Sequence, residues 1–180
     1  YKKKDALDLS ELHGRIINLK SESSLPFWRT FKRLHSFYRG TKFLNNYQNV
    51  IYTGQNSPLA VSNHPKGKNI YYCFTPPRSI YDLKETHLES QPPIGKLTHA
   101  LYSSSFKLLY ENAIRKMDVI VADSKNVQNR IQKFLGLEST VIYPPCDIDK
   151  FFWMGQENYY LSTARLAPYK RIDIIIQAFA

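Results

Sequence analysis

Residues 162–171 run Ser-Thr-Ala-Arg-Leu-Ala-Pro-Tyr-Lys-Arg and gather three cations, Arg165, Lys170 and Arg171, just ahead of an apolar stripe, Ile172, Ile175, Ile176 and Phe179, at ideal helical spacing. The free N–H groups at a helix N-terminus already favour an anion, and Arg and Lys side chains would add fixed charge, so a loop of this kind suits a diphosphate. A second reading stands beside it, in which Lys170 and Arg171 merely solvate the first helical turn. Against that reading, cations at a helix N-terminus are unfavourable unless an anion offsets them.

Other chemistry-bearing residues are fewer. Asp82 is a candidate general base for a hydroxyl, although a single Asp with no visible partner is more often a structural loop residue. Cys73 and Cys146 are the only cysteines, lie far apart and fall outside any C-x-x-C pattern, so neither a disulfide framework nor a zinc site is expected. Cys73 is expected to pack within a strand. His13, His35, His64, His87 and His99 are scattered without ligand spacing, and surface or satisfied core positions are expected for each. No metal and no cofactor are expected.

The elements that must position these residues read as α/β. Short apolar runs at Val50-Ile51-Tyr52, Ile70-Tyr71-Tyr72-Cys73-Phe74, Val119-Ile120-Val121-Ala122 and residues 140–143 alternate with helical patterns. Runs apolar at successive positions suit strands covered on both faces, which predicts a parallel sheet. One helix is expected over about 96–116, with Leu97, Leu101, Leu108 and Leu109 among its inward positions. The next is capped by Ser124, faces inward through Val127, Ile131, Phe134 and Leu135, and stops at Gly136. Residues 14–19 predict a short strand, and residues 26–44 an amphipathic helix with Phe27, Phe31, Leu34 and Tyr38 on one face and Arg29, Lys32, Arg33 and Arg39 mostly elsewhere. The segment from Asn63 to Lys68 reads as a polar turn with solvated charges. Pro144-Pro145-Cys146-Asp147 breaks regular structure and marks a linker. Beyond it, residues 159–162 read as the first strand of a new sheet and residues 171–180 as its following helix.

With 180 residues, 43% of them apolar, the chain is long enough for one ordinary domain and too short for two. It opens on Tyr1, and its last helical stripe stops in register at Ala180, so both ends are expected to be cut. No run approaches the roughly 18 apolar residues of a membrane span, and the start lacks the apolar stretch of a secretion signal, which places the expected location in the cytoplasm. The net charge of +10 implies attraction to something anionic, and ten basic residues against four acidic ones precede position 50. The basic aromatic stretch from Trp28 to Arg39 suits either an interfacial helix on anionic lipid, at the inner face of a membrane, or a packed helix with a solvated basic face.

The run over 160–179 resembles the start of the donor domain of family-4 glycosyltransferases of the two-domain GT-B architecture. Two further segments are similar to the same family. Val141-Ile-Tyr-Pro-Pro-Cys-Asp147, followed by Phe151, is similar to its interdomain linker, and Tyr72-Cys-Phe-Thr-Pro-Pro-Arg78, followed by Tyr81 and Asp82, to a loop facing its interdomain cleft. The resemblance covers roughly residues 48–180 and is weak before them. It implies an α/β fold of Rossmann-like type, with an acceptor-side domain over residues 1–147, truncated at its start, and a linker and beginning donor-binding domain over 148–180. It assigns Arg165 and Lys170 to the donor diphosphate. Arg171 stands where many members have Gly, and Phe74 where members often have His. Phenylalanine can neither accept a proton nor donate a hydrogen bond, so the acceptor-side chemistry would rest on Thr75, Arg78 or Asp82. Arg78 could bind phosphate or sugar oxygens or could pair with Asp82 to brace the loop.

The implied activity is transfer of a sugar, with retention and without a required metal, from a nucleotide-diphosphate sugar, tilted towards GDP-mannose, to a hydroxyl on a glycan or lipid-linked acceptor. The family's glutamate pair lies past Ala180, so the chain alone is expected to have negligible activity. The rival expectation is a non-catalytic basic module for anionic membrane or nucleic acid. Against nucleic acid, no recognised motif or obvious stacking platform is present. A dinucleotide enzyme would want G-x-G-x-x-G, which is missing.

Overall fold

A computed structural model describes residues 16–24, 26–89, 92–166 and 170–179. The chain divides into two compact units at the junction of Pro144 and Pro145. The first unit holds helix α1 (Pro26–Arg39), strand β1 (Asn49–Thr53), strand β2 (Lys68–Cys73), helix α2 (Lys84–Glu89), helix α3 (Pro93–Ile114), strand β3 (Val119–Ala122), helix α4 (Lys125–Leu135) and strand β4 (Thr140–Val141). Tight 3₁₀ turns occupy Lys42–Asn46 and Ser57–Asn63.

The four strands form one all-parallel sheet in the order β1-β2-β3-β4, with Ile51 opposite Ile70, Tyr71 opposite Ile120 and Ala122 opposite Val141. Strands added in one direction through right-handed crossovers place every connecting element on the same face. That face carries Tyr52, Tyr71, Cys73 and Ala122, which share one buried core with Leu59, Ala60 and Val61 of the second turn, Phe106, Tyr110 and Ile114 of α3, and Val127, Ile131 and Leu135 of α4. Among the described residues, the expected cover on both faces is therefore not found. Burial alternates along β2, and on the opposite face Ile51 is 66% exposed while Ile70 and Tyr72 are half-buried.

Helix α4 follows the sequence reading closely. The Ser124 hydroxyl accepts from the Val127 N–H at 3.3 Å, and Gly136 ends the helix with φ 65°, a conformation that glycine adopts without a Cβ clash. Phe134 is only half-buried. Helix α3 does not follow it. Leu97, Leu101, Leu108 and Leu109 point outward, and the inward positions are Ser103, Phe106, Tyr110, Ala113 and Ile114. The Tyr110 ring stacks on Phe106 at 5.9 Å and meets Tyr71 edge-on at 6.3 Å, so aromatic rings fill the space between helix and sheet. In α1 the packed residues are Leu34 and Phe37, whereas Phe31 and Tyr38 face out. Residues 16–19 are not a strand, and positions 14 and 15 of that expected strand lie outside the described residues, as does His13.

A polar cluster closes the amino-terminal edge of the sheet. Asn69, buried within β2, accepts from the Tyr52 hydroxyl at 2.8 Å, contacts His64 Nδ1 at 2.8 Å, and donates to the carbonyls of His64 and Gly67 at 3.1 Å each. Its backbone N–H donates to Asp118 Oδ2 at 2.7 Å, and His64 Nε2 lies 2.8 Å from the Tyr47 carbonyl. Burial pushes the Tyr52 phenol up to about 12. Gly67 is required here by close approach, since a Cβ would stand 2.2 Å from the His64 ring and 2.6 Å from the Gln48 carbonyl. The polar turn expected over 63–68 is thus organised around a buried histidine with a polar neighbour at each ring nitrogen.

The second unit contains a short 3₁₀ turn at Ile148–Lys150 and helix α5 (Ile172–Phe179). The strand expected over 159–162 does not form. A parallel strand is held by hydrogen-bonded neighbours, and the unit has none among the described residues. None of its described residues is buried, and the expected inward stripe of α5 is solvent-facing, with Phe179 stacked on Tyr160 at 4.0 Å.

Candidate functional site

The carboxyl ends of parallel strands are where α/β sheets present their loops and the N-termini of their helices. The loop leaving β2 carries Phe74, Thr75, Arg78 and Asp82, and β3 leads through Asp123 and Ser124 into α4. Three of the sequence-predicted site residues, Thr75, Arg78 and Asp82, come together here, around a fourth that sequence reasoning missed. Arg130, on α4, places Nη1 2.7 Å from Asp82 Oδ2 and Nη2 2.9 Å from Asp82 Oδ1, a two-pronged fork, while its Nε donates to Thr75 Oγ1 at 3.2 Å. Arg78 adds Nε at 3.2 Å and Nη2 at 3.1 Å to Asp82 Oδ2.

The three charged groups differ in access. The Arg130 side chain is 16% exposed and Asp82 22%, whereas Arg78 is 53% exposed. Arg130 also lies over the Phe134 ring at 5.3 Å, and Phe134 stacks on Tyr81 at 5.1 Å. The Tyr81 hydroxyl donates to Glu111 Oε1 at 3.0 Å, which extends the network to α3. Burial, followed by Glu111, pushes the Tyr81 phenol well up. With one carboxylate between two guanidiniums, the cluster keeps a net positive charge, and Arg78 carries it at the surface.

Hydrogen bonds from Arg130, opposed by burial and joined by those from Arg78, hold the Asp82 carboxyl well below the usual carboxylate range. A carboxylate held this low is a poor proton acceptor, so the arrangement fits bracing of the loop better than general base chemistry. A group whose folded pKa is depressed contributes stability that is complete above its unfolded value of about 4 and is lost as pH falls through the range below. Urea midpoints measured from neutral pH into acid should therefore fall less steeply for Asp82→Asn than for the parent chain; parallel curves would mean that this carboxylate carries none of the acid sensitivity.

The remaining groups at this edge are packed rather than reactive. Burial pushes the Cys73 thiol up to about 11, which leaves it protonated and inert, as its expected place in a strand requires. Phe74 is half-exposed and meets Tyr72 edge-on at 5.2 Å, and the Tyr72 hydroxyl donates to the Ile142 carbonyl at 3.0 Å.

In the second unit, Arg165 and Lys170 are both exposed, and residues 167–169 between them lie outside the described residues. Arg171 pairs with Asp173 at 3.1 Å and has φ 51°, in the left-handed region that glycine enters at least cost. Among the described residues, no group of three or more His, Cys, Asp or Glu side chains could hold a metal ion, and no helix is long and apolar enough to cross a membrane.

The fold and this edge define an α/β protein with a four-stranded, all-parallel sheet and helices packed on it, compatible with a Rossmann-like fold. No family model matches the chain, and no curated protein or solved structure matches it either.

Proposed function

We propose that this chain carries parts of a glycosyltransferase that moves a sugar from a nucleotide-diphosphate sugar, with GDP-mannose favoured, to a hydroxyl on a glycan or lipid-linked acceptor. The observation that carries the reading is the run over 160–179, with Arg165 and Lys170 five positions apart ahead of α5 and resembling the donor loop of GT-B enzymes. The left-handed backbone of Arg171 agrees with it, because that position corresponds to a glycine in many such enzymes. In this reading Arg165 and Lys170 neutralise charge that develops on the departing diphosphate, which lowers the barrier where the glycosidic bond breaks. In the first unit, Arg78 offers its exposed guanidinium to acceptor oxygens, and Thr75 and Asp82 hold the loop that presents it.

Titration calorimetry with GDP-mannose, UDP-sugars and inorganic pyrophosphate tests the proposal. The expected result is a preference for one nucleotide sugar, with Arg165→Ala and Lys170→Ala each weakening it about tenfold, as loss of one charge-assisted contact does. Equal binding of all polyanions that fades steeply with salt would replace this reading by the second one, a basic binding module, which the net charge of +10 favours.

A further inference from the structure

Among the described residues, helix α1 is tied to the first unit through Leu34, Phe37 and the turns that follow it. Leu34 and Phe37 pack against the core, the Thr41 hydroxyl donates to the Phe37 carbonyl at 2.8 Å, and Asn63 Nδ2 donates to the Tyr38 carbonyl at 2.8 Å and to Thr41 Oγ1 at 2.9 Å. The other side displays Trp28, Phe31, His35 and Tyr38, a row about 15 Å long at the helical rise. Trp28 and Phe31 are each just over half exposed. Beside the row stand the exposed cations Lys32 and Arg39, with Arg29 and Arg33 further round the helix.

The charge of the sequence that contains this helix is one-sided in a way that totals conceal. Between Glu22 and Asp82 the sequence contains no Asp or Glu, and it contains eight cations: Arg29, Lys32, Arg33, Arg39, Lys42, Lys66, Lys68 and Arg78. An apolar aromatic row flanked by Lys and Arg, in a stretch of sequence without acidic residues, is complementary to a surface that is negative outside and apolar just beneath. Single-stranded nucleic acid fits less well. Base stacking needs open ring faces, whereas Trp28 meets Phe31 edge-on at 6.2 Å and Phe31 stacks on His35 at 6.5 Å, so the rings are engaged with one another.

We infer that the outer face of α1 is a docking surface for an anionic phospholipid bilayer, with Trp28, Phe31 and Tyr38 entering the interfacial layer and Lys32 and Arg39 meeting headgroup phosphates. The inference rests on α1 alone and is independent of the sugar-transfer reading.

The test uses the full chain carrying Trp153→Phe, so that Trp28 is the single indole, and phosphatidylcholine vesicles with and without added phosphatidylserine. The expected result is co-sedimentation with the anionic vesicles only, weakened by salt, together with a shift of Trp28 emission to shorter wavelength. Lys32→Gln and Arg39→Gln should each weaken partitioning about fivefold. Phe31→Ser, at an outward position, should weaken it while the thermal unfolding midpoint stays unchanged. Equal partitioning onto neutral vesicles, failure to bind either kind, indifference to Phe31→Ser, or capture of a single-stranded RNA oligonucleotide in place of vesicles would each overturn the inference.

Discussion

Asn69→Leu is expected to destabilise the first unit by about 3 kcal/mol or more, measured as a loss of unfolding free energy in urea. Leucine keeps the branching and the number of side-chain heavy atoms but leaves the Tyr52 hydroxyl, the facing His64 nitrogen and the carbonyls of His64 and Gly67 without the partner that now serves all four. The bonds to Tyr52, to the His64 ring and to the His64 carbonyl are buried, so the penalty of each unmet hydrogen bond there falls on the folded state. The effect should exceed that of any substitution at the exposed positions of the same strand, such as Lys68. A loss below about 1 kcal/mol would mean that water or a rearranged His64 takes over the role of the carboxamide.

The second large effect is expected at Arg130. Removing its guanidinium in Arg130→Ala deletes the fork to Asp82, the bond to Thr75 and the contact over Phe134 in one step, and leaves a partly exposed carboxylate with Arg78 alone. A loss of about 2 to 3 kcal/mol is expected, between the values for exposed and fully buried pairs. A more specific readout is hydrogen exchange. The amides of Ile80, Tyr81 and Leu83 are bonded within the loop to the carbonyls of Pro77 and Arg78, and they should exchange faster in the variant. Arg130→Lys should restore little of the protection, because a single ammonium cannot reproduce the planar fork. Full restoration by lysine would show that charge alone holds the loop.

Arg130 also illustrates what could and could not be read ahead of the structure. Its partners lie 48 and 55 residues away, and only the placement of α4 beside the loop after β2 brings them together. The local sequence marks it as one cation on an amphipathic helix and nothing more. Thr75, Arg78 and Asp82 stand out because their loop resembles one that faces the cleft in GT-B enzymes, and its place at a strand's carboxyl end agrees with that choice. The strands of the first unit and α4 were legible for a similar reason, since each has a local signal: a short apolar run, a serine cap or a glycine stop.

Helix α3 shows the opposite case. Apolar residues occur on both of its sides, so periodicity alone could not choose between them. Leucines suggested the core, yet the space over the sheet is filled by Phe106 and Tyr110, with the small Ser103 and Ala113 beside them. The sheet's one-sided cover was hidden likewise, because apolar runs record what a strand could bury and not which connecting elements the topology supplies. Asn69 had a weak signal, a polar residue directly ahead of an apolar run and shortly after His64 and Gly67, that acquires meaning only when the cluster is seen.

The strand order has a consequence for how the first unit comes into being. Each strand pairs only with the strands just before and just after it in the chain, so β2 can settle on β1, β3 on β2 and β4 on β3 in the order in which a ribosome delivers them. None of the described strands must be kept waiting for a partner made much later, and the first of them can acquire its neighbour before the last has been synthesised.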